Sequence, residues 1–352
     1  MPRLIRSAPK VQLKAQGILR LQDYVHRAAF SPDGRHLAAC SASGQVVAWH
    51  MPGRARACGF KGHDGPALTF AWDRRSSLLA SGGQDGTVRI WDVATGAERA
   101  VLPVGAQGNW VEHLSWDSRT DRLAASAGKA VQVWSQGEGG CFLPQTEIPS
   151  HKTTVSALAW MPQGDGLVSA CYGGAWLWRI GEEQPLRTFP YAGAVLSIAV
   201  TPDGQYLASG NLDASAHLFK IADDRNWHMS GYPVKVRAVA FDRTGLNLWT
   251  VSGPSLIAWN MKRFEGNSGR LFKGHLGWIQ DLACHPTLPT VATVGEDGLL
   301  CLWAAETTKP RLLQEVNKTG GLSCVAWSPD GTWLVTGTME GTLSLFQVEG
   351  LP

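Results

Sequence analysis

Residues 62–92 read GHDGPALTFAWDRRSSLLASGGQDGTVRIWD, and this stretch decides the fold. Short apolar runs alternate in it with turn-forming Asp, Ser and Gly residues, which is typical of short β-strands joined by hairpin turns. Residues 274–303, GHLGWIQDLACHPTLPTVATVGEDGLLCLW, follow the same pattern. In both stretches a His precedes an Asp by 22 residues, and that Asp precedes a Trp by 6. The two stretches are therefore copies of one structural unit.

The aromatic residue that ends this unit marks a repeat that runs along the chain. Apolar-x-apolar segments that end in an aromatic residue recur eight times, at intervals of 40 to 44 residues. The terminal aromatics are Trp49, Trp91, Trp134, Trp178, Phe219, Trp259, Trp303 and Phe346. Turn signals such as Ser-Pro-Asp-Gly at 31–34 lie between them, where Pro fixes an early φ and Gly permits a later positive φ. This spacing predicts eight units of four antiparallel strands each.

The pattern resembles the WD40 family of β-propellers, and the resemblance covers nearly the whole chain. In that family a His, a hydroxyl residue, an Asp and a Trp form a buried hydrogen-bond chain, or tetrad, across one blade. A buried indole N–H needs an acceptor, and a His–carboxylate pair satisfies two further polar groups. The resemblance implies one tetrad in the second repeat and one in the seventh: His63, Ser81, Asp85 and Trp91, and His275, Thr293, Asp297 and Trp303.

The other repeats depart from the tetrad to different degrees. The fourth keeps a His and a Ser but has Tyr172 at the Asp position. The fifth keeps Asp213 but has Phe in place of Trp, and the eighth keeps Thr336 with Glu340 at the Asp position. Repeats one, three and six lack most of the tetrad. We therefore expect those blades to depend on apolar packing alone.

The repeats are expected to close into one all-β domain, an eight-bladed propeller that spans residues 1–352. An open row of blades would leave two strand edges exposed, whereas a ring leaves neither. After Phe346 there is no room for an outer strand, and residues 11–15 alternate between apolar and polar. The N-terminal segment 1–20 is therefore predicted to supply the outer strand of the last blade, paired with residues 342–348. Seven blades, with one degenerate repeat outside the ring, remain the alternative.

Composition narrows the functional classes. The formal net charge is +3 and only 17% of residues are charged, whereas nucleic-acid binding normally needs a concentrated basic face. No run of about 18 apolar residues is present, so no membrane span is expected. The N-terminal residues make a poor signal peptide. The 7 cysteines are scattered without a C-x-x-C pair, which favours reduced thiols in a cytoplasmic protein.

Catalytic motifs are not recognisable in this sequence. It has no G-x-S-x-G, no H-E-x-x-H and no Gly-rich phosphate loop before a helix, and the tetrads account for the His–Asp pairs. We therefore expect no enzyme activity, no cofactor and no metal site. One alternative is a propeller enzyme, or a small-ligand or metal-binding protein, that acts at the central channel. Another is a nucleic-acid surface formed by basic residues: Arg54, Arg56, Lys61, Arg74 and Arg75.

A partner-binding surface is predicted from the two positions that flank the buried aliphatic residue at the start of each innermost strand. In WD40-like rings these positions lie on the narrower top face, at the mouth of the channel. Trp110 and Trp278 fall there, where blade packing needs no aromatic residue, and exposed Trp, Tyr and Arg dominate binding hot spots. Aligning the repeats selects eight candidates: Tyr24, His26, Trp110, Glu112, Lys235, Arg237, Trp278 and Gln280.

Six of these candidates, from repeats six, seven and one, are expected to lie along one cationic–aromatic arc. Such an arc suits an acidic or aromatic peptide segment. The alternative is that the side chains only fill the channel mouth. The sequence therefore predicts a monomeric, non-catalytic scaffold that docks a protein or peptide partner on its top face within a larger complex, without nucleic acid or membrane. The identity of the partner is not encoded in any motif.

Overall fold

The fold is all-β, as the sequence predicts. A computed structural model describes residues 11–351, apart from 52, 54, 61, 107, 165, 265–268, 305–310, 318 and 319. Within these residues the chain forms 30 strands and two 3-10 turns, Glu138–Gly140 and Met261–Arg263. The first strand, β1, covers Gln12–Arg20.

Each of the first three repeats forms one four-stranded antiparallel sheet. The strands of repeat one are β2 (Val25–Phe30), β3 (His36–Ser41), β4 (Val46–His50) and β5 (Arg56–Phe60). Those of repeat two are β6 (Ala67–Trp72), β7 (Leu78–Gly83), β8 (Thr87–Asp92) and β9 (Glu98–Pro103). Those of repeat three are β10 (Val111–Trp116), β11 (Arg122–Ala127), β12 (Ala130–Gln136) and β13 (Phe142–Ile148).

The remaining repeats continue the same order from the inner to the outer strand. Repeats four and five contain β14 (Ala157–Trp160), β15 (Leu167–Trp178), β16 (Pro185–Val200), β17 (Tyr206–Asn211), β18 (Ala216–Lys220) and β19 (Asn226–Met229). Repeat six contains β20 (Val236–Phe241), β21 (Asn247–Ser252), β22 (Ser255–Asn260) and β23 (Arg270–Phe272). Repeat seven contains β24 (Ile279–Cys284), β25 (Thr290–Gly295), β26 (Leu299–Ala304) and β27 (Arg311–Asn317). Repeat eight contains β28 (Leu322–Trp327), β29 (Trp333–Thr338) and β30 (Thr342–Glu349).

Repeats four and five share one sheet, which decides how the blades are counted. Over the described residues the strands form seven hydrogen-bonded sheets, six of four strands and one of six. In the six-stranded sheet β15 and β16 each run through two successive strand positions, and they meet where Tyr172 pairs with Ala194. Gly173 and Gly174, with φ of 102° and 134°, let β15 fold back on itself within one turn. The number of separate sheets is therefore seven, as in the alternative, and the predicted eight separate blades are corrected to seven. All eight aromatic anchors nevertheless keep their third-strand positions, and the inner strand of every repeat lies in the ring.

The innermost strands of the eight repeats surround a central channel. Each contacts its neighbours in chain order, and the last returns to the first: β2, β6, β10, β14, the second half of β16, β20, β24 and β28. The apolar core fills the spaces between successive sheets, so one cluster unites Val25 of repeat one with Val335 of repeat eight. This packing of sheet on sheet makes a propeller.

Strand β1 closes the ring as the outer strand of repeat eight. It pairs antiparallel with β30 from Gln12↔Glu349 to Arg20↔Thr342. The order of that sheet is β1-β30-β29-β28, so its outer edge comes from the opposite end of the described chain. Residues 1–10 of the predicted closing segment 1–20 lie outside the described residues.

Tryptophans at the end of the inner strands tie neighbouring repeats together. Trp72 Nε1 donates to the Ala29 carbonyl at 3.2 Å. Trp160 repeats this contact with Ser115 at 3.0 Å, and Trp327 repeats it with Ala283 at 3.0 Å. Each bond joins one inner strand to the inner strand before it, so the indoles stabilise the ring as well as the core.

Removing residues 1–20 should destabilise the ring. The truncated chain loses the backbone pairing of β1 and exposes the edge of β30, which is a template for intermolecular pairing. We expect a lower thermal midpoint and higher-order species in size-exclusion chromatography. Ile18→Ser changes an exposed β1 side chain and is the control that should alter neither measurement. A truncated chain that stays monomeric with an unchanged midpoint would mean that β1 contributes nothing to closure.

Candidate functional site

A β-bulge recurs at the same position in the inner strands and builds the mouth of the channel. The pairing register skips one residue there, for example between Val236 and Ala238 and between Ile279 and Asp281. A bulge leaves one residue outside the ladder and redirects its side chain. The skipped residues in the described chain are His26, Leu68, Glu112, Leu196, Arg237, Gln280 and Ser323. Four of the predicted site residues are therefore bulge residues.

The central channel contains a cavity of about 630 Å³. Five of the eight predicted residues line it: Tyr24, His26, Glu112, Arg237 and Gln280. The other three, Trp110, Lys235 and Trp278, precede the aliphatic residue that begins each inner strand. Trp110 is 50% exposed and Trp278 is 39% exposed. The predicted residues thus divide into a channel group and a rim group.

Repeats six and seven form one connected part of the predicted arc, which we call the six–seven cluster: Lys235, Arg237, Trp278 and Gln280. Lys235 Nζ lies over the Trp278 ring, 5.7 Å from its centroid. Arg237 Nη1 donates to Gln280 Oε1 at 2.6 Å. Gln280 Nε2 in turn donates to the Glu296 carboxylate at 2.5 Å. These contacts hold two cations and an exposed indole together.

The repeat-one residues of the arc form a separate aromatic pair. The rings of Tyr24 and His26 lie 4.9 Å apart, and burial lowers the pKa of His26. Burial also raises the pKa of the Tyr24 hydroxyl, so both groups are neutral at pH 7. They share the channel cavity with Arg237 and Gln280. The arc therefore has a charged part in repeats six and seven and a neutral part in repeat one.

Two charged residues of the channel wall were missed by the sequence analysis, Arg27 and Asp281. Both lie one residue beyond the aligned positions, directly after the bulge. The Asp281 carboxylate accepts hydrogen bonds from the Leu282 and Val325 amides at 2.8 and 2.9 Å. Burial raises the pKa of Asp281 to about 6, although Arg27 and Arg237 act in the opposite direction. Including the residue after each aligned bulge position in the comparison of the repeats would have identified both.

Three exposed apolar side chains on the top-face loops were also missed. Tyr172, Leu212 and Leu276 are 56%, 55% and 90% exposed. Tyr172 was recognised only as a departure from the tetrad, and the other two lie next to the tetrad positions of their repeats. The signal that could have identified them is a large apolar residue in a turn, where polar residues and glycine are usual. Together with Trp110 and Trp278, these three residues give the top-face loops five exposed large apolar side chains.

The second and seventh repeats hold the four tetrad side chains in hydrogen-bond contact. Trp91 Nε1 donates to Ser81 Oγ at 2.9 Å, and Ser81 Oγ lies 2.8 Å from His63 Nε2. His63 Nδ1 lies 3.0 Å from the Asp85 carboxylate. A neutral His63 with its proton on Nδ1 satisfies every member of this chain. Burial lowers the pKa of His63, which favours that neutral form.

The tetrad of repeat seven has the same order of contacts. Trp303 Nε1 donates to Thr293 Oγ1 at 2.7 Å, and that hydroxyl lies 2.8 Å from His275 Nε2. His275 Nδ1 lies 3.1 Å from Asp297, whose carboxylate also accepts the Leu276 amide at 2.7 Å. The His side chains are buried and each has an internal partner. These His–Asp pairs therefore support the blades and do not face the channel.

Repeat six corrects the expectation that it depends on apolar packing alone. The Tyr232 hydroxyl donates to Thr250 Oγ1 at 3.0 Å and accepts from Trp259 Nε1 at 3.0 Å. Tyr232 thus replaces the missing His with a longer side chain from the same loop. The sequence alignment missed it because a phenol stands where an imidazole was sought.

Repeat four shows what an incomplete tetrad leaves behind. His151 Nε2 lies 2.7 Å from Ser169 Oγ, which accepts from Trp178 Nε1 at 2.8 Å. Because Tyr172 occupies the Asp position, no carboxylate among the described residues accepts a hydrogen bond from His151 Nδ1. The Lys129 backbone acts on the imidazole instead and opposes the lowering of its pKa by burial.

The repeat geometry agrees with a match to a known family model. The model of the WD domain, G-beta repeat, matches residues 15–50, 56–92, 142–179, 183–220, 266–304 and 311–347. The chain belongs to the WD40 family. The segments without a match hold most of repeats three and six, which lack the full tetrad and nevertheless form four-stranded sheets. Backbone pairing thus preserves the WD40 blade where the side-chain signature is lost.

Several WD40 proteins are similar to this chain. A ribosome biogenesis protein BOP1 homolog from Caenorhabditis elegans is 24% identical over 81% of this chain and 49% of its own length. Pre-mRNA-processing factor 19 homolog 2 from Arabidopsis thaliana is 22% identical over 78% of this chain and 53% of its own length. Transducin beta-like protein 3 from Rattus norvegicus is 23% identical over 82% of this chain and 44% of its own length. This chain therefore spans about half the length of the curated relatives that it matches.

The fold also matches a solved structure. The computationally designed Ika8 protein superposes with a TM-score of 0.81 at 20% identity, over 96% of this chain and 100% of that protein. At this identity the match concerns the fold alone.

The structure offers little support for a metal site or for the basic nucleic-acid surface. Among the described residues no group of three or more His, Cys, Asp or Glu could hold a metal ion. Arg74 and Arg75 both pair with Asp121, at 3.0 and 2.8 Å, so one carboxylate offsets half of their positive charge. Arg54 and Lys61 lie outside the described residues. No helix in the described part of the chain is long and apolar enough to cross a membrane.

Thr293→Val should lower the free energy of unfolding by about 2 kcal/mol. The substitution keeps the shape but leaves Trp303 Nε1 and His275 Nε2 without their shared partner, at about 1–3 kcal/mol for a buried unpaired group. Thr336→Val is the matched control at the same position in repeat eight, since the Thr336 hydroxyl has no hydrogen-bond partner in the described structure. Urea denaturation would measure both. Equal losses in the two variants would show that the tetrad adds no stability.

Stability should fall as the pH is lowered from 7 towards 5. Burial lowers the pKa of seven histidines, in the case of His113 to about 4: His26, His36, His63, His113, His151, His217 and His285. The unfolded chain binds more protons than the folded chain between those values and the ordinary value near 6.5, so stability rises with pH in that window. Each group adds at most about 1.4 kcal/mol per pH unit.

Two carboxyl groups oppose this trend without reversing it. The pKa values of Glu112 and Asp281 are raised by burial, so protonation stabilises the folded chain at their positions. Denaturation midpoints measured from pH 5 to 7 would test the net slope, and His113→Gln should make it shallower. A slope that is flat or negative in the wild type would contradict the assignment of neutral, buried histidines.

Proposed function

We propose that this chain is a non-catalytic scaffold that docks a protein or peptide partner on the top face of its propeller. The observation that carries the proposal is the six–seven cluster. In it an exposed Trp278 ring, two cations and a channel-lining amide are already held together by direct contacts. Trp and Arg are enriched among the few residues that dominate the binding energy of protein interfaces.

The repeats themselves show that Trp278 is not needed for packing. At the same repeat position the second, fourth, fifth and eighth repeats have Pro66, Thr154, Ala194 and Gly321. All of these repeats build their inner strands with much smaller side chains. A large, partly exposed indole at this position therefore adds contact surface without adding to the blade.

The charge of the cluster suits an acidic partner. Lys235 and Arg237 lie on the loop and first residues of repeat six, and neither forms an ion pair among the described side chains. Arg237 is restrained by its bond to Gln280, which lowers the entropy lost when it binds a carboxylate. A carboxylate that reaches the cluster would form a charge-assisted bond to a preorganised guanidinium.

The relatives support action within an assembly. Their names refer to ribosome biogenesis and to pre-mRNA processing, and each is about twice as long as the matched part. By analogy we propose that this chain acts by joining other proteins. We also propose that it is a monomer on its own and works in the cytoplasm, the latter because its scattered cysteines favour reduced thiols. It acts without binding nucleic acid or membrane.

Binding of a small ligand in the channel is the second candidate. The channel cavity of about 630 Å³ is large enough for a metabolite, and its wall carries Arg27, Asp281 and Glu112. A thermal-shift screen of polar metabolites against the whole chain would favour this function if a compound raised the midpoint and Arg27→Gln abolished the effect.

Affinity capture from an extract of the source cells tests the scaffold function. The tagged wild-type chain would be compared with a Trp278→Ala/Arg237→Glu variant, and bound proteins identified by mass spectrometry. We expect a specific partner whose recovery falls at least tenfold with the variant, because both changes remove contacts in the six–seven cluster.

The matched control is Leu186→Ala/Arg179→Glu, which also removes one exposed apolar side chain and reverses one surface charge. Leu186 is 53% exposed, and Arg179 forms only an exposed pair with Glu182. The control should keep the partner. Partners that persist in the first variant, or disappear only in the control, would move the binding surface to the outer strands of the blades or to the bottom face.

A further inference from the structure

Trp110 and Trp278 occupy the same repeat position on opposite sides of the ring. Each directly precedes the buried aliphatic residue that begins its inner strand, Val111 of β10 and Ile279 of β24. Between β10 and β24 lie three inner strands in either direction: β14, β16 and β20 on one side, and β28, β2 and β6 on the other. The two exposed indoles therefore lie at opposite positions around the mouth of the channel.

One further exposed apolar side chain lies near each of these two tryptophans and enlarges the apolar surface there. Leu276, at 90% exposure, lies two residues before Trp278. Tyr172, at 56% exposure, lies on the neighbouring repeat four, next to the repeat that carries Trp110. Of the described large apolar side chains that are exposed, those outside the top-face loops lie on outer strands or on β1. The top face thus has two larger apolar contact areas on opposite sides of the channel. Leu212 of repeat five is a single exposed apolar side chain outside both areas.

The two areas differ in charge. Beside Trp278 lie the cations Lys235 and Arg237. Beside Trp110 lies Glu112, which forms no ion pair among the described side chains and whose pKa is raised by burial alone. A ligand at Trp110 therefore meets an unpaired carboxylate. A ligand at Trp278 meets two cations and one carboxylate, Glu296, which already accepts a hydrogen bond from Gln280.

The surface between the two areas is polar. The channel cavity separates them, and it is lined there by Tyr24, His26, Thr69 and Gln280. A wholly apolar segment laid across it would bury these groups without hydrogen bonds, which is costly. A segment with polar residues in its middle would not.

We propose that the partner presents one continuous segment that spans the channel mouth in a fixed direction. Its apolar side chains contact Trp110 at one end and Trp278 at the other. A basic group near the first end pairs with Glu112, and an acidic group near the second end pairs with Lys235 and Arg237. This inference rests on the proposed function and adds to it the length, charge order and orientation of the bound segment.

A peptide-display selection on the whole chain tests this inference without a known partner. The probe is a random library of peptides about 16 residues long, because an extended segment of that length reaches roughly 50 Å. Enriched peptides would be synthesised, labelled and measured by fluorescence anisotropy. We expect them to carry a basic and an acidic group at opposite ends, each next to an apolar residue.

Single substitutions then distinguish two anchors from one. Trp110→Ala and Trp278→Ala should each weaken the selected peptides by about tenfold or more, as expected for interface hot spots. Leu143→Ala, which removes a side chain 49% exposed on β13, is the control and should change affinity less than twofold. Circular dichroism of every variant would show that the ring remains folded.

Charge reversal tests the orientation. Selection on Glu112→Lys should enrich peptides that carry an acidic group at both ends, because the basic end has lost its carboxylate partner. Peptides that depend on Trp278 but not on Trp110 would overturn the spanning segment while leaving the scaffold function intact. Failure to enrich any peptide, or enrichment unaffected by both Trp substitutions, would count against both.

Discussion

Backbone pairing between β1 and β30 joins residues 12–20 to residues 342–349, and the geometry of the ring depends on it. Each inner strand contacts the inner strands of adjacent repeats, so position round the channel is set by packing between neighbours. With the ring closed, residues more than a hundred positions apart in sequence acquire fixed separations. The opposition of Trp110 and Trp278 is one consequence, and the shared core of repeats one and eight is another. Without closure neither would be defined.

Inside the blades the same requirement is met by different side chains. A buried indole N–H at the third strand needs an acceptor, and the second and seventh repeats supply Ser81 and Thr293, each supported by a His and an Asp. In repeat six a Tyr hydroxyl takes the place of the imidazole. In repeat four the carboxylate is missing, and the Lys129 backbone acts on the imidazole of His151 in its place. Because apolar packing between sheets provides most of the burial, individual blades tolerate this variation.

The side chains of the top face differ between repeats because packing within the blades does not restrict them. The recurring bulge directs one side chain of each inner strand away from the ladder. The position two residues before the bulged residue varies in size between repeats, from glycine at Gly321 to tryptophan at Trp278. A rigid ring therefore presents a set of positions that can change without loss of the fold. That separation of scaffold from surface is what allows one fold to bind unrelated partners.

The sequence by itself determined the repeat period, the four-stranded unit, the two complete tetrads and the closing role of the first strand. These are local or periodic properties: turn residues, alternation and fixed spacings record the hydrogen bonds made within each unit. It also selected the channel-mouth positions, because every repeat begins its inner strand in the same way. Only the tertiary structure showed that repeats four and five share a sheet, where two positive-φ glycines tighten the turn after Tyr172. It also showed Tyr232 in the place of a His, and Arg27 and Asp281 in the channel wall. Such contacts depend on which residues meet through space, and that is decided when the sheets pack and the ring closes.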